Sequence, residues 1–489
     1  MKNMTKFAYL STFGILVLAG CSDFEDHKKD VNTGSADFSK YMAIGNSITA
    51  GYQSGALYEE AQRAGYTVLL AKSAGVSGFE IPTLSGEGTG GRLKWDGSFS
   101  PSGSPVLVAV PLATSSEIFE RAINKGLARP YNNMGIPGSV LVIPGSAPLG
   151  YATDFFDVKI NSTGTDAVVG PGGVGGSRNN GLFALTLRSP GSSLWLSMKG
   201  YQPKVVSFWL GNNDVLGYAT SGGVSPSAPT DASVFQTKYQ QIADSISGLA
   251  SQPKVVVATI PDVTSIPFFT TVNVSLVGKI PSGKIYYSHS SGSVDSIYVD
   301  ATTLASGKIY NRGMITLLGA SAIGNGTSTF AGLAKAVPLG SQYVLDPAEI
   351  VIAKTAVAQF NGSIKGIAAT KGWAVADVSA EFTAVAAGGA NGKYYMGQKV
   401  TAAFITGGLF SYDGVHPSSL GQALIANYFV QAINAKYGAA LKQVELNSPA
   451  GMKFGKISAQ IPDGKLIDPF TLPVEPLKNM VRLMGGEIE

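Results

Sequence analysis

Apolar residues follow two rhythms along this chain. Short stretches that would be apolar on both faces of an extended backbone occur at Tyr41–Ile44, Val205–Leu210, Val255–Ile260 and Ala374–Val378. A strand that is apolar throughout suits a parallel sheet, where both faces are covered. Between and after these runs the period lengthens. Phe235, Tyr239, Ile242, Ile246 and Leu249 recur at intervals of four and three, which marks one face of a helix. Asp346-Pro347-Ala348-Glu349 combines an N-cap acid, a proline at the first helical position and a glutamate at the third. It predicts a helix that ends near Gly372. A last helix is predicted from Ser418 to Gly438, with apolar pairs at 424/425, 428/429 and 432/433. Alternating strands and helices predict an α/β fold, a three-layer α/β/α sandwich around a parallel sheet.

Long interruptions break the alternation near residues 54–130, 139–190 and 272–342, the last two rich in Gly and Ser, with short β-like runs at Ile285–Tyr287 and Ser296–Val299. We expect these to be insertions in one domain, 38–440, covering one end of the sheet. Residues 441–489 carry Pro462, Pro469, Pro473 and Pro476 and are expected to form an extension packed irregularly along the body. The chain has no internal repeat and no heptad pattern.

Composition narrows the class. With 489 residues and 45% hydrophobic positions the chain can bury a large core, while only 14% are charged and 61 are glycine. That balance suits a loop-rich secreted protein. The formal charge of +4 falls to +2 if Lys2 and Lys6 are removed with a leader, and no basic run occurs, so electrostatics gives no reason to expect a nucleic-acid partner.

The first residues set the expected compartment. Lys2 and Lys6 precede an apolar or small stretch from Phe7 to Gly20, shorter than the roughly 20 apolar residues a bilayer span needs. It ends in Leu18-Ala19-Gly20-Cys21, which resembles a bacterial lipobox. That resemblance implies cleavage after residue 20 and lipid acylation of Cys21, the sole cysteine of the chain. The alternative is an ordinary secretory leader that happens to contain a cysteine. Residues 21–37 would be an acidic or polar tether, in which Ser22-Asp23-Phe24-Glu25-Asp26 resembles the acidic patch of some surface lipoproteins. The expected location is the bacterial envelope, with a lipid anchor in the outer membrane on its periplasmic or surface face.

Candidate chemistry sits where strands end. Gly45-Asn46-Ser47-Ile48-Thr49-Ala50-Gly51 follows the first predicted strand, which places Ser47 at the carboxyl end of a parallel strand, where open α/β sheets bind ligands. A helix beginning there also aims backbone N–H groups at any nearby anion. The competing role for Ser47 is a plain N-cap. His416 lies in Asp413-Gly414-Val415-His416-Pro417, just before the last helix. An aspartate three residues before a histidine can accept the Nδ1 proton, leaving Nε2 to take a proton from a serine hydroxyl. Of the other histidines, His27 falls in the tether and His289 is expected to be a surface residue on an insertion. Asn133-Met134-Gly135-Ile136-Pro137-Gly138 and Gly211-Asn212-Asn213-Asp214 offer an unobstructed backbone amide and a carboxamide, donors suited to an oxyanion. Each segment by itself is equally an ordinary turn.

Together, in this order, the four segments resemble those of the SGNH hydrolase superfamily, the GDSL-type esterases, across most of residues 38–440. The resemblance implies an SGNH/flavodoxin-like sandwich and a carboxylic ester hydrolase. It implies Ser47 as nucleophile, His416 as base, Asp413 as the orienting acid, and an oxyanion hole formed by Gly138, Asn213 and the Ser47 N–H. Asn46 departs from the pattern, standing where the family name has aspartate. Neither a cofactor nor a metal is implied, and the sequence shows no His-Glu-x-x-His, cysteine cluster or phosphate loop. The implied partner is a small-molecule or glycan ester: an acyl lipid, a short-chain ester or an O-acetylated glycan. A second reading keeps the fold without catalysis, as a surface glycan-binding lipoprotein using Trp95, Trp195, Trp209 or Trp373 as stacking platforms.

Overall fold

Five short strands hydrogen-bond into one all-parallel sheet: β1 (Tyr41–Gly45), β2 (Asn133–Gly135), β3 (Val205–Trp209), β4 (Lys254–Ala258) and β5 (Ala374–Ala376). Their order across the sheet is β5-β4-β3-β1-β2. The computed structural model describes residues 31–100, 104–145, 151–162, 167–169, 180–300, 302, 313–324, 331–446 and 472–486. Cys21 and the expected leader lie outside them. Among the described residues no helix is long and apolar enough to cross a membrane.

Helices cover both faces, which is why the strands are apolar throughout. The helices used below are α1 (Ser47–Ala50), α2 (Tyr66–Ser73), α3 (Asn213–Thr220), α4 (Ala232–Ser247), α5 (Pro347–Lys371), α6 (Ser419–Tyr437) and α7 (Val474–Leu483). Alternation along β3 sorts the two layers. Phe208 meets Tyr239 of α4 edge-on, and beyond it the Phe235 ring of α4 stacks on Phe360 of α5 with centroids 4.0 Å apart. Trp209, one residue on, faces the other way toward Tyr66 of α2 and Phe429 of α6. The result is a three-layer α/β/α sandwich.

Local signals fix the helix ends. Asp346 accepts from the Glu349 N–H while Glu349 accepts from the Asp346 N–H, so both halves of a capping box form at the start of α5. Gly372 closes that helix in a left-handed conformation. Ser418 caps α6, and Gly438 ends it.

Two expectations change. The stretch near 54–130 does more than cover one end of the sheet: α2 lies within it and packs on α6, its Tyr66 ring stacked 4.7 Å from Phe429. At eight residues, α2 is too short for a legible stripe. The C-terminal extension is not irregular throughout, since α7 is a regular helix with Leu477, Met480 and Val481 buried. Its apolar positions recur at helical spacing, but three prolines between 462 and 473 obscure the pattern. The β-like runs near 285 and 296 do pair, as an antiparallel hairpin of Lys284–Ser288 with Val294–Tyr298.

In this sheet order the chain leaves β1 for β2 on one side and then returns to β3 on the other. A crevice therefore opens beyond the carboxyl ends of β1 and β3. The segments after β1, β2 and β3 all deliver their first residues there.

Candidate active site

Asn46 starts the site. Its side-chain oxygen accepts the Ile48 N–H at 3.1 Å, capping α1 and holding Ser47 at the first position of the helix. Asparagine thus performs the capping that an aspartate would, without the charge. Its amide nitrogen is buried without a hydrogen-bond partner, as is the side-chain oxygen of Asn212. Both residues line the crevice beside Ser47.

His416 arrives from a tight turn before α6. The Ser411 N–H donates to the His416 carbonyl at 2.8 Å, and the Gly414 N–H to the Ser411 carbonyl at 3.0 Å. This turn sets His416 Nε2 at 2.9 Å from Ser47 Oγ and Nδ1 at 3.0 Å from Asp413 Oδ2. With Asp413 accepting from Nδ1, Nε2 is left as the acceptor for the serine hydroxyl. All three side chains are buried.

Asp413 is held from every side. Oδ2 also accepts the Gly55 N–H at 2.9 Å, and Oδ1 accepts the N–H groups of Val415 and His416 and the Ser411 hydroxyl. Burial by itself pushes this carboxyl up. The facing imidazole and these donors outweigh burial and hold it below its ordinary value. The Tyr52 ring packs against the imidazole at a tilt, with centroids 4.7 Å apart.

The two donor segments flank Ser47. Asn213, the first residue of α3, gives one amide hydrogen to the Ser139 carbonyl at 2.9 Å, and a carboxamide carries a second. Gly138 has φ +81°, and a Cβ there would lie 2.1 Å from the Leu483 carbonyl, so only glycine fits. Asp214 ties the segments together by accepting from the Leu141 and Val142 N–H groups, and burial pushes its carboxyl up to about 6.

Two hollows meet at the Ser47–His416 pair. One is an open cleft with about 490 Å³ of space between atoms, walled by apolar residues including Leu216, Ile260, Ile266, Phe382 and Phe410, with Asn213 at its edge. The other, toward Gly138 and Tyr52, is closed, a seam too tight for a water molecule. The structure therefore brings Ser47, Asp413 and His416 into one hydrogen-bonded relay, with Asn213 and Gly138 on either side.

Sequence reasoning missed Gly55, Tyr52 and the walls of the cleft. Gly55 and Tyr52 follow Ser47 within a few positions but belong to no pattern. His289 is half-buried and bonded through Nδ1 to Asp346 at 2.8 Å, so it serves the α5 cap instead of standing free on the surface. None of the four tryptophans is exposed: Trp209 and Trp373 are buried, Trp195 packs against Phe155 and Phe156, and Trp95 packs against Phe99. Among the described residues no group of His, Cys, Asp and Glu could hold a metal ion.

A serine, an imidazole and a carboxylate in series at the carboxyl end of a parallel sheet have the geometry of an α/β serine hydrolase. The chain belongs to the family described as GDSL-like Lipase/Acylhydrolase, whose sequence profile matches residues 41–429. Among solved structures it is similar to a protein of Parabacteroides merdae ATCC 43184 described as a GDSL-like lipase. That likeness has 11% identity, a TM-score of 0.31, and covers 82% of this chain and 100% of the other. No curated protein matches the chain.

Proposed function

We propose that the protein is a serine esterase acting through an acyl-enzyme on Ser47. The observation that carries this reading is the 2.9 Å contact between Ser47 Oγ and His416 Nε2, with Asp413 fixing the tautomer from the other side of the ring. His416 takes the hydroxyl proton as Ser47 attacks an ester carbonyl. Asn213, Gly138 and the Ser47 N–H receive the oxyanion. The protonated imidazole then gives its proton to the leaving alcohol, and the neutral ring activates water to release the acid.

A fluorophosphonate probe tests this directly. Mass spectrometry should find a single adduct on Ser47, abolished by prior heat denaturation. Labelling that is absent, or spread over other serines, would refute the assignment. The Asn213→Ala variant should lose about 10²–10³-fold in kcat on p-nitrophenyl acetate, the usual effect of deleting one oxyanion donor. It should cost only about 1 kcal/mol of stability, from the single hydrogen bond to Ser139. A kcat within threefold of the parent would remove Asn213 from the oxyanion hole.

We extend the proposal to location: acylation of Cys21 would hold the enzyme on an envelope membrane, with its substrate an acyl lipid, a short-chain ester or an O-acetylated glycan. The lone cysteine at the end of a short apolar leader supports this. Globomycin treatment of expressing cells should accumulate the unprocessed precursor, and a Cys21→Ser variant should lose metabolic labelling by an alkynyl fatty acid.

A further inference from the structure

Helix α7 follows Pro462, Pro469 and Pro473 and lies wholly beyond residues 41–429, so it is no part of what the family profile matches. Its buried face is continuous: Leu477, Met480, Val481 and Met484 are each 2% exposed or less. Two residues of that face, Met480 and Met484, lie against the catalytic centre. Met480, Leu483 and Met484 share the smaller hollow with Ser47, Tyr52, Pro137, Gly138 and His416.

Two glycines accept the end of the helix, and each belongs to a segment that builds the site. At Gly138 an added Cβ would meet the Leu483 carbonyl at 2.1 Å. At Gly217, one turn after Asn213 in α3, it would meet the Met484 carbonyl at 2.6 Å. Backbone-to-backbone approach of this kind needs positions without side chains, so α7 is seated in a fitted groove.

An ester carbonyl carries two substituents, one on the acyl side and one on the alkoxy side. With the carbonyl at Ser47 they must diverge. The open apolar cleft accepts one. The other points toward the hollow that Met480, Leu483 and Met484 close. We propose that α7 is a specificity wall, and that these three side chains restrict the substrate to an ester whose substituent on the side α7 closes is no larger than about a methyl group, as in an acetyl or a methyl ester. This rests on the esterase reading above and names the substrate class for it.

The experiment compares kcat/KM for p-nitrophenyl butyrate over acetate, and for butyl over methyl acetate, in the full-length parent and in Met480→Ala and Leu483→Ala. Truncating Met480 removes three heavy atoms and makes room for about two methylenes. One of the two ratios should rise about tenfold, in keeping with the discrimination a few methylenes provide in an apolar pocket. Leu483 is less buried than Met480, so its variant keeps the test alive if Met480→Ala does not fold. Ratios unchanged in both series, even with all rates uniformly higher or lower, overturn the wall while leaving the esterase intact. A parent that neither hydrolyses these esters nor takes the phosphonate on Ser47 overturns both.

Discussion

Replacing Ser47 by alanine should lower kcat for p-nitrophenyl acetate about 10⁶-fold, to the level of the oxyanion donors and binding alone. The structure predicts that this loss is purely chemical. Ser47 Oγ has His416 Nε2 as its partner, and alanine is at least as good a helix former at the first position of α1. The Asn46 cap, which sets the entry to that helix, does not involve the serine side chain. Circular dichroism and the melting temperature should therefore match the parent while turnover vanishes. Hydrolysis by Ser47→Ala at the parent rate would place the nucleophile elsewhere and leave the fold as a binding scaffold.

Asp413→Asn should have the second largest effect, and it should damage both activity and stability. An asparagine must present its NH₂ group to one of two sets of donors: Val415 and His416 N–H with the Ser411 hydroxyl, or Gly55 N–H with His416 Nδ1. Either orientation sets donor against donor in a fully buried site. If the amide faces Nδ1, the imidazole is driven to the wrong tautomer, for which a loss of about 10⁴-fold in kcat is expected. If it faces the turn, the Val415 and His416 N–H groups and the Ser411 hydroxyl lose their acceptor and the loop loosens, each buried donor left unpaired costing about 1–3 kcal/mol.

Its pH dependence has a definite sign. The Asp413 carboxyl is held below its ordinary 3.8, so the stability it contributes is complete above that value. That contribution is lost only as pH falls through the lower folded value. The parent should thus become less stable on acidification below about pH 4, and Asp413→Asn should show a flatter acid limb in thermal melts. An equally steep acid limb in the variant would assign that loss to other carboxylates.

Four central strands, the stripe of α4 and both caps of α5 were legible because each depends on local periodicity or on neighbours within four positions. β2 was not seen as a strand, since three residues containing Asn133 carry no apolar run. Ser47, Asp413, His416, Gly138 and Asn213 were singled out because each sits in a short pattern whose residue types serve one chemistry. Gly55 was invisible, because what matters there is a backbone amide, which every residue except proline possesses.

The sequence by itself determined the class of fold, the residue types capable of acyl transfer and the strand ends that carry them, all encoded over spans of a few residues. Tertiary structure alone decided that Ser47 and His416 meet across 369 positions, that Gly55 braces the acid, and that α7 closes one side of the centre. The physical reason is that hydrogen-bond reach and van der Waals contact act over a few ångströms in space. Separation along the chain carries no information about them once the backbone has folded back on itself.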